Sequence, residues 1–141
     1  MGAATFEVTA NNFKDTIEKN DIVFIDYWAE WCGPCRAFGP IFEKAAQDNP
    51  DIAFGKCDTE KELELASAFQ ISSIPTLMVF KEGVLIFSQP GMLPGPALSE
   101  LIDKVRELDM EEVRAKIAEH EKEHVHDHEH EHEHEQAQEP N

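Results

Sequence analysis

Ile22-Val23-Phe24-Ile25-Asp26-Tyr27-Trp28-Ala29-Glu30-Trp31-Cys32-Gly33-Pro34-Cys35 is the stretch that decides the fold. Its first seven residues form an almost unbroken apolar run, rich in β-branched and aromatic side chains, as in a strand covered on both faces of a sheet. Asp26 alone interrupts it. The cysteines then open a helical pattern over residues 36–47, with Phe38, Ile41, Phe42 and Ala45 on one face and a kink expected at Pro40. A buried strand running into a helix with a reactive pair at the junction is an α/β signature.

The flanking sequence extends this order. Residues 52–58 read as a second strand, and Thr59-Glu60-Lys61-Glu62 reads as a capping box for the next helix. Residues 76–80 and 84–88 form a hairpin around Lys81-Glu82-Gly83. Pro94 and Pro96 introduce a helix whose apolar positions are Leu98, Leu101, Ile102, Val105 and Leu108. Upstream, residues 5–8 predict an edge strand, and Phe13 with Ile17 predicts a short helix. The fold class is therefore α/β, with a parallel half and an antiparallel half.

Composition bounds the function. The chain has 141 residues, 41% of them hydrophobic with nine Phe, enough for one core domain and an appendage. The net charge of −17 is uneven: residues 1–106 carry 16 acidic and 9 basic side chains, residues 107–141 carry 13 and 3. Without a basic patch to release counterions from phosphates, nucleic acid is not an expected partner. The apolar stretches are too short to span a bilayer. The first residues show neither a secretory signal nor a myristoylation motif, so a soluble cytoplasmic protein is expected.

Beyond Leu108 the pattern thins. Met110, Val113 and Ile117 share one helical face and Glu112 precedes Lys116 by four residues, which predicts a short helix over 109–118. Residues 119–141 offer no apolar face and are expected to be disordered. All seven histidines fall between His120 and His134. Among them His124, His126, His128, His130, His132 and His134 fall at every second position, interleaved with acidic residues from Asp127 on, a composition able to hold divalent metal weakly. The expected organisation is a domain at 1–108, a helical extension at 109–118 and a His/Glu-rich tail at 119–141.

The cysteine pair has a specific chemistry. Residues i and i+3 at a helix start lie about 5 to 6 Å apart, within the window a disulfide needs. At the helix N-terminus, unpaired amides and the dipole favour a thiolate on Cys32, leaving Cys35, one turn deeper, as the resolving thiol. Half of a zinc site is the alternative, but Cys57 is the one further cysteine and brings no partner pair or spaced histidine from the domain. Asp26 inside an apolar strand suffers desolvation, which raises its pKa and makes it a candidate proton acceptor for Cys35; the bland alternative is that backbone amides hold it.

In order and spacing, residues 26–35, followed by Pro40, Lys56, Ile74-Pro75-Thr76, Phe80-Lys81, Gly83 and Gly91, resemble the signature of bacterial thioredoxins over about residues 5–108. The resemblance implies the thioredoxin fold, a mixed sheet flanked by helices. It implies reduction of disulfides in client proteins through a redox-active Cys32–Cys35 disulfide, with no bound cofactor and with electrons from NADPH through a separate thioredoxin reductase. Carried over by position, Cys32 attacks, Cys35 resolves, Asp26 is the buried carboxylate and Lys56 the lysine that lowers its pKa. Ile74-Pro75 resembles the cis-proline loop, whose backbone pairs with an extended client strand. Trp31, Gly33, Pro34, Ile74, Pro75, Gly91 and Met92 would form the docking surface, and the protein would act as a monomer. Pro90 departs from the family pattern by stiffening the loop before Gly91. Cys57, next to Lys56 on a strand, should point to the opposite face as a core thiol, and Trp28 should pack under the active-site loop. Two alternatives stay open: a disulfide oxidant or isomerase, against which Gly33-Pro34 weighs, and a metal-binding or interaction module in which the tail does the work and the redox domain is an adaptor.

Overall fold

The computed structural model describes residues 4–121. In chain order the elements are β1 (Phe6–Glu7), α1 (Phe13–Lys19), β2 (Ile22–Trp28), α2 (Gly33–Asp48), β3 (Ala53–Asp58), α3 (Leu63–Ala68), β4 (Thr76–Lys81), β5 (Val84–Pro90) and α4 (Gly95–Glu107). The five strands form one sheet in the order β1-β3-β2-β4-β5. β1, β3 and β2 run parallel, while β4 and β5 are antiparallel to their neighbours. The sequence pattern anticipates this division because parallel neighbours need helical crossovers, whereas Lys81-Glu82-Gly83 can only make a hairpin.

Strand parity sorts the core into two layers. On one face Phe24, Phe54, Leu77 and Val79 meet Phe38 and Phe42 of α2 and Leu98, Ile102 and Val105 of α4. Aromatic contacts knit that layer: Phe24 stacks on Phe54 at 5.2 Å and Phe42 meets Phe54 edge-on at 5.3 Å. On the other face Val23, Ile25, Tyr27, Cys57, Met78 and Phe80 pack with Val8, Ile17 of α1 and Leu65 of α3. β2, central and covered on both sides, is buried from Ile22 to Tyr27, as its apolar run requires.

Several local expectations change. The edge strand spans two residues rather than four: Val8 closes its ladder, donating its amide to the Lys56 carbonyl at 2.8 Å, and buries its side chain in the core. This close approach requires Gly55, where a Cβ would collide with Val8 Cγ2. The capping box does not form. α3 starts later, at Leu63, with no side-chain cap, because Thr59 Oγ1 instead donates to the Trp28 carbonyl at 3.2 Å and Asp58 Oδ1 accepts the Glu60 amide at 2.8 Å. α2 begins at Gly33, three residues before the apolar periodicity does. Pro90 closes β5 opposite Thr76 and belongs to the strand, not to a loop; an edge strand tolerates its missing donor. Lys81, expected in a turn, ends β4 at 6% exposure, and its Nζ donates to the Val105 and Arg106 carbonyls at 2.7 and 3.2 Å. A helix C-terminus leaves such carbonyls without intrahelical partners, and a cation suits them.

The chain divides after Arg106 into two compact units. In the second, Asp109 Oδ1 accepts the amides of Glu111 and Glu112 at 3.0 and 3.3 Å, and residues 110–121 are helical. Lys116 pairs with Glu112 at 3.6 Å. The helix thus continues past residue 118 through Glu119, His120 and Glu121, because a good helix former such as Glu sustains helix without a buried face. His124 to His134 lie outside the described residues.

Candidate active site

α2 starts where it does because the cysteine pair caps it. Cys32 is the N-cap, in extended conformation, and its Sγ accepts the Cys35 amide at 3.2 Å. Pro34, in the first turn, lacks an N–H where a helix has no use for one. Cys32 and Cys35 form a disulfide with a Cα–Cα distance of 5.2 Å, as the three-residue spacing predicts. Both cysteines are buried against Ala29, with Trp28 and Ile74 packed alongside. Of the surface expected around them, Trp31 is 66% exposed and Gly33 and Pro34 are exposed as well.

The loop before β4 brings the second wall. Ile74–Pro75 is a cis peptide bond, and Cys32 Sγ lies 3.7 Å from the Ile74 carbonyl oxygen. The Gly91 amide donates to the Pro75 carbonyl at 2.8 Å, tying the end of β5 to this loop. Gly91 does so at φ +98°, a conformation costly for any side chain, and hands on to the exposed Met92.

Asp26 is fully buried on β2, opposite Lys56 of β3 and Leu77 of β4. Neither carboxylate oxygen receives a hydrogen bond, so the alternative in which amides hold it does not apply. Burial raises its pKa to about 7, with the Lys56 charge working in the opposite direction. Such a group changes charge near neutral pH, the property a proton acceptor needs. Lys56 Nζ sits 4.6 Å from the centroid of the Trp28 ring. An open crevice of about 360 Å³ runs from solvent past Glu30, Arg36, Gly39 and Lys56 to Cys35. Arg36 Nε donates to the Glu30 carbonyl at 3.1 Å at its rim.

Sequence reasoning did not single out Arg36 or Gly39. A signal for Gly39 exists: it falls four residues after Cys35, hence on the same helix face. Cys57 is buried on the far side of the sheet, where burial pushes its thiol up to about 12, reinforced by the charges of Glu62 and Asp58. Among the described residues, no three His, Cys, Asp or Glu side chains group to hold a metal ion, and no helix is long and apolar enough to cross a membrane.

The thioredoxin family profile matches residues 4–104. A Streptomyces coelicolor chain named as a candidate thioredoxin 2 is 57% identical over 118 residues, 84% of this chain and 88% of its own length. Those 118 residues must reach at least residue 118, so the likeness runs past the family domain into the helical extension. Thioredoxin from Mycoplasmoides gallisepticum is 41% identical, covering 61% of this chain and 86% of its own. Among solved structures, a point-mutant thioredoxin from Halobacterium salinarum superposes with a TM-score of 0.69 at 31% identity, covering 77% of this chain and 97% of that one. Oxidised mitochondrial thioredoxin 3 of Saccharomyces cerevisiae gives 0.64 at 33% identity, covering 71% and 93%. With this sheet order, and with a disulfide at the N-terminus of α2 beside a cis-proline, the chain belongs to the thioredoxin family and is a protein thiol–disulfide oxidoreductase.

Proposed function

We propose that the chain reduces disulfides in client proteins through Cys32-Gly33-Pro34-Cys35 and is recycled by a thioredoxin reductase at the expense of NADPH. The observation that carries this reading is the placement of the Cys32 sulfur. It caps a 16-residue helix, accepts the Cys35 amide and lies beside the Ile74 carbonyl. In the reduced protein the same amide and helix terminus stabilise a Cys32 thiolate. That thiolate attacks a client disulfide, forming a Cys32–client bond and releasing one client thiolate. Asp26 takes the proton of Cys35, whose thiolate attacks Cys32 Sγ, re-forms the Cys32–Cys35 bond and expels the second client thiolate. Two electrons pass to the client, whose thiolates draw protons from solvent.

Lys56 holds the Asp26 pKa down toward neutrality. Trp31, Gly33, Pro34, Ile74, Pro75, Gly91 and Met92 dock the client, whose extended backbone pairs with Ile74. The working domain is 1–108 and acts as a cytoplasmic monomer; 109–118 extends it, and the histidines of 119–141 give the tail weak divalent-metal affinity. NADPH consumption with a thioredoxin reductase and a disulfide-bonded client tests the reading. Consumption should rise in proportion to added protein. Catalysed oxidation of client dithiols, with no NADPH-dependent reduction, would replace the reductase by an oxidant or isomerase.

A further inference from the structure

Lys56 and Asp26 are cross-strand neighbours in the β2–β3 register, yet neither Asp26 oxygen receives a hydrogen bond from the ammonium. What Lys56 Nζ does touch is the Trp28 ring, 4.6 Å from its centroid. Trp28 and Asp26 are two residues apart on β2 and share a sheet face, so the indole reaches Lys56 from the diagonal position. On the helix side, a Cβ at Gly39 would stand 3.9 Å from Nζ; with glycine there, no side chain of α2 at that position crowds the ammonium. A lysine head on a four-carbon stem is a mobile, strongly hydrated charge, and half-buried Lys56 borders a crevice open to solvent. Its field at Asp26 therefore depends on what keeps it in place.

We propose that Trp28 is a positioning residue: its indole face holds the Lys56 ammonium alongside Asp26 and so sets the pH at which Asp26 can accept the proton of Cys35. This rests on the reading of Asp26 as proton acceptor. The other charged or titratable groups around Lys56 and Trp28 are Glu7 on β1, Glu30 after β2, Asp58 on β3, Lys61 after it, and Cys35, Arg36 and Glu43 on α2; β4 offers Asp26 only Leu77. The charge that acts on the Asp26 carboxyl is that of Lys56.

The test is the Asp26 carboxyl titration in the reduced full-length protein, followed by carbon NMR alongside the pH profile of client reduction. Lys56→Met should raise the Asp26 midpoint by about one unit. Trp28→Leu should raise it by about half a unit, Trp28→Phe by less, and Trp28→Leu should add nothing once Lys56 is Met. A midpoint unmoved by Trp28→Leu, or moved equally with and without Lys56, overturns the positioning role while leaving Asp26 its own. Should Trp28→Leu not fold, Trp28→Phe with and without Lys56 reads the same coupling. A midpoint unmoved by Lys56→Met overturns this inference together with the tuning role of Lys56. Failure of the acceptor reading shows differently, as a pH profile that ignores the Asp26 midpoint in every variant.

Discussion

The two faces of the sheet are made by the same strands and are comparably dry, yet they hold their ionisable groups to different ends. On the α2 and α4 side, β2 and β3 present Asp26, Trp28 and Lys56 beneath the helix that begins at the disulfide. One residue along, on the α1 and α3 side, the same strands present Tyr27 and Cys57. Burial raises the pKa of Asp26, Tyr27 and Cys57 alike. For a carboxylic acid this brings titration to neutrality; for a phenol or thiol it removes the charged form from the physiological range. The difference teaches that desolvation alone does not make a functional group: the starting pKa and the parity of the residue decide.

The largest expected contrast lies between cysteines. Cys32→Ser should abolish client reduction, whereas Cys57→Ala should retain the wild-type rate, measured by NADPH consumption with a thioredoxin reductase. Loss of turnover in Cys57→Ala would erase the distinction between the faces.

Asp26 sharpens the comparison through pH. Its folded pKa lies above its ordinary value of 3.8, so between about pH 4 and 7 the native state binds more protons than the unfolded chain, and stability falls as pH rises through that window. Asp26→Asn should be neutral near pH 4 and increasingly stabilising up to pH 8, with a ceiling of about 4 kcal/mol. The same variant should slow client reduction at neutral pH. Urea melts at pH 4, 6 and 8 check the first point; a stability gain independent of pH would contradict it.

On the opposite face the Tyr27 hydroxyl has no hydrogen-bond partner. Tyr27→Phe should stabilise by about 1 kcal/mol at pH 4, 6 and 8 alike and leave turnover untouched, because it removes an unpaired buried polar group remote from the thiol chemistry. The tail should affect catalysis only through its charge. Every residue of the candidate site, from Asp26 to Met92, precedes the tail. Deleting residues 119–141 should leave turnover within about twofold at high salt and remove most nickel or zinc retention. A large salt-independent loss of turnover would bring the tail into the mechanism.

How far the sequence was legible follows from which interactions are local. The apolar run of β2, the three-residue cysteine spacing and the glycine hairpin are set by neighbours in the chain, and each is seen in the structure. Parity alone separates Lys56 from Cys57. What the sequence hid depends on partners far away in the chain. Thr59 abandons a capping box for the carbonyl of Trp28, and Lys81 leaves a turn for the end of α4, as tertiary partners outcompete local ones. The contact between Trp28 and Lys56 is hidden for the same reason, since only the register of two strands brings them together.

The central claim is that Cys32 is the attacking sulfur and Cys35 the one that resolves. Trapping tests it most directly: incubate reduced Cys35→Ser with a disulfide-bonded client, digest without reductant and map the mixed disulfide by mass spectrometry. The account predicts a stable adduct through Cys32, with none through Cys57 and none formed by Cys32→Ser. An adduct that forms in Cys32→Ser through Cys35, but not in Cys35→Ser, would reverse the roles assigned to the two sulfurs.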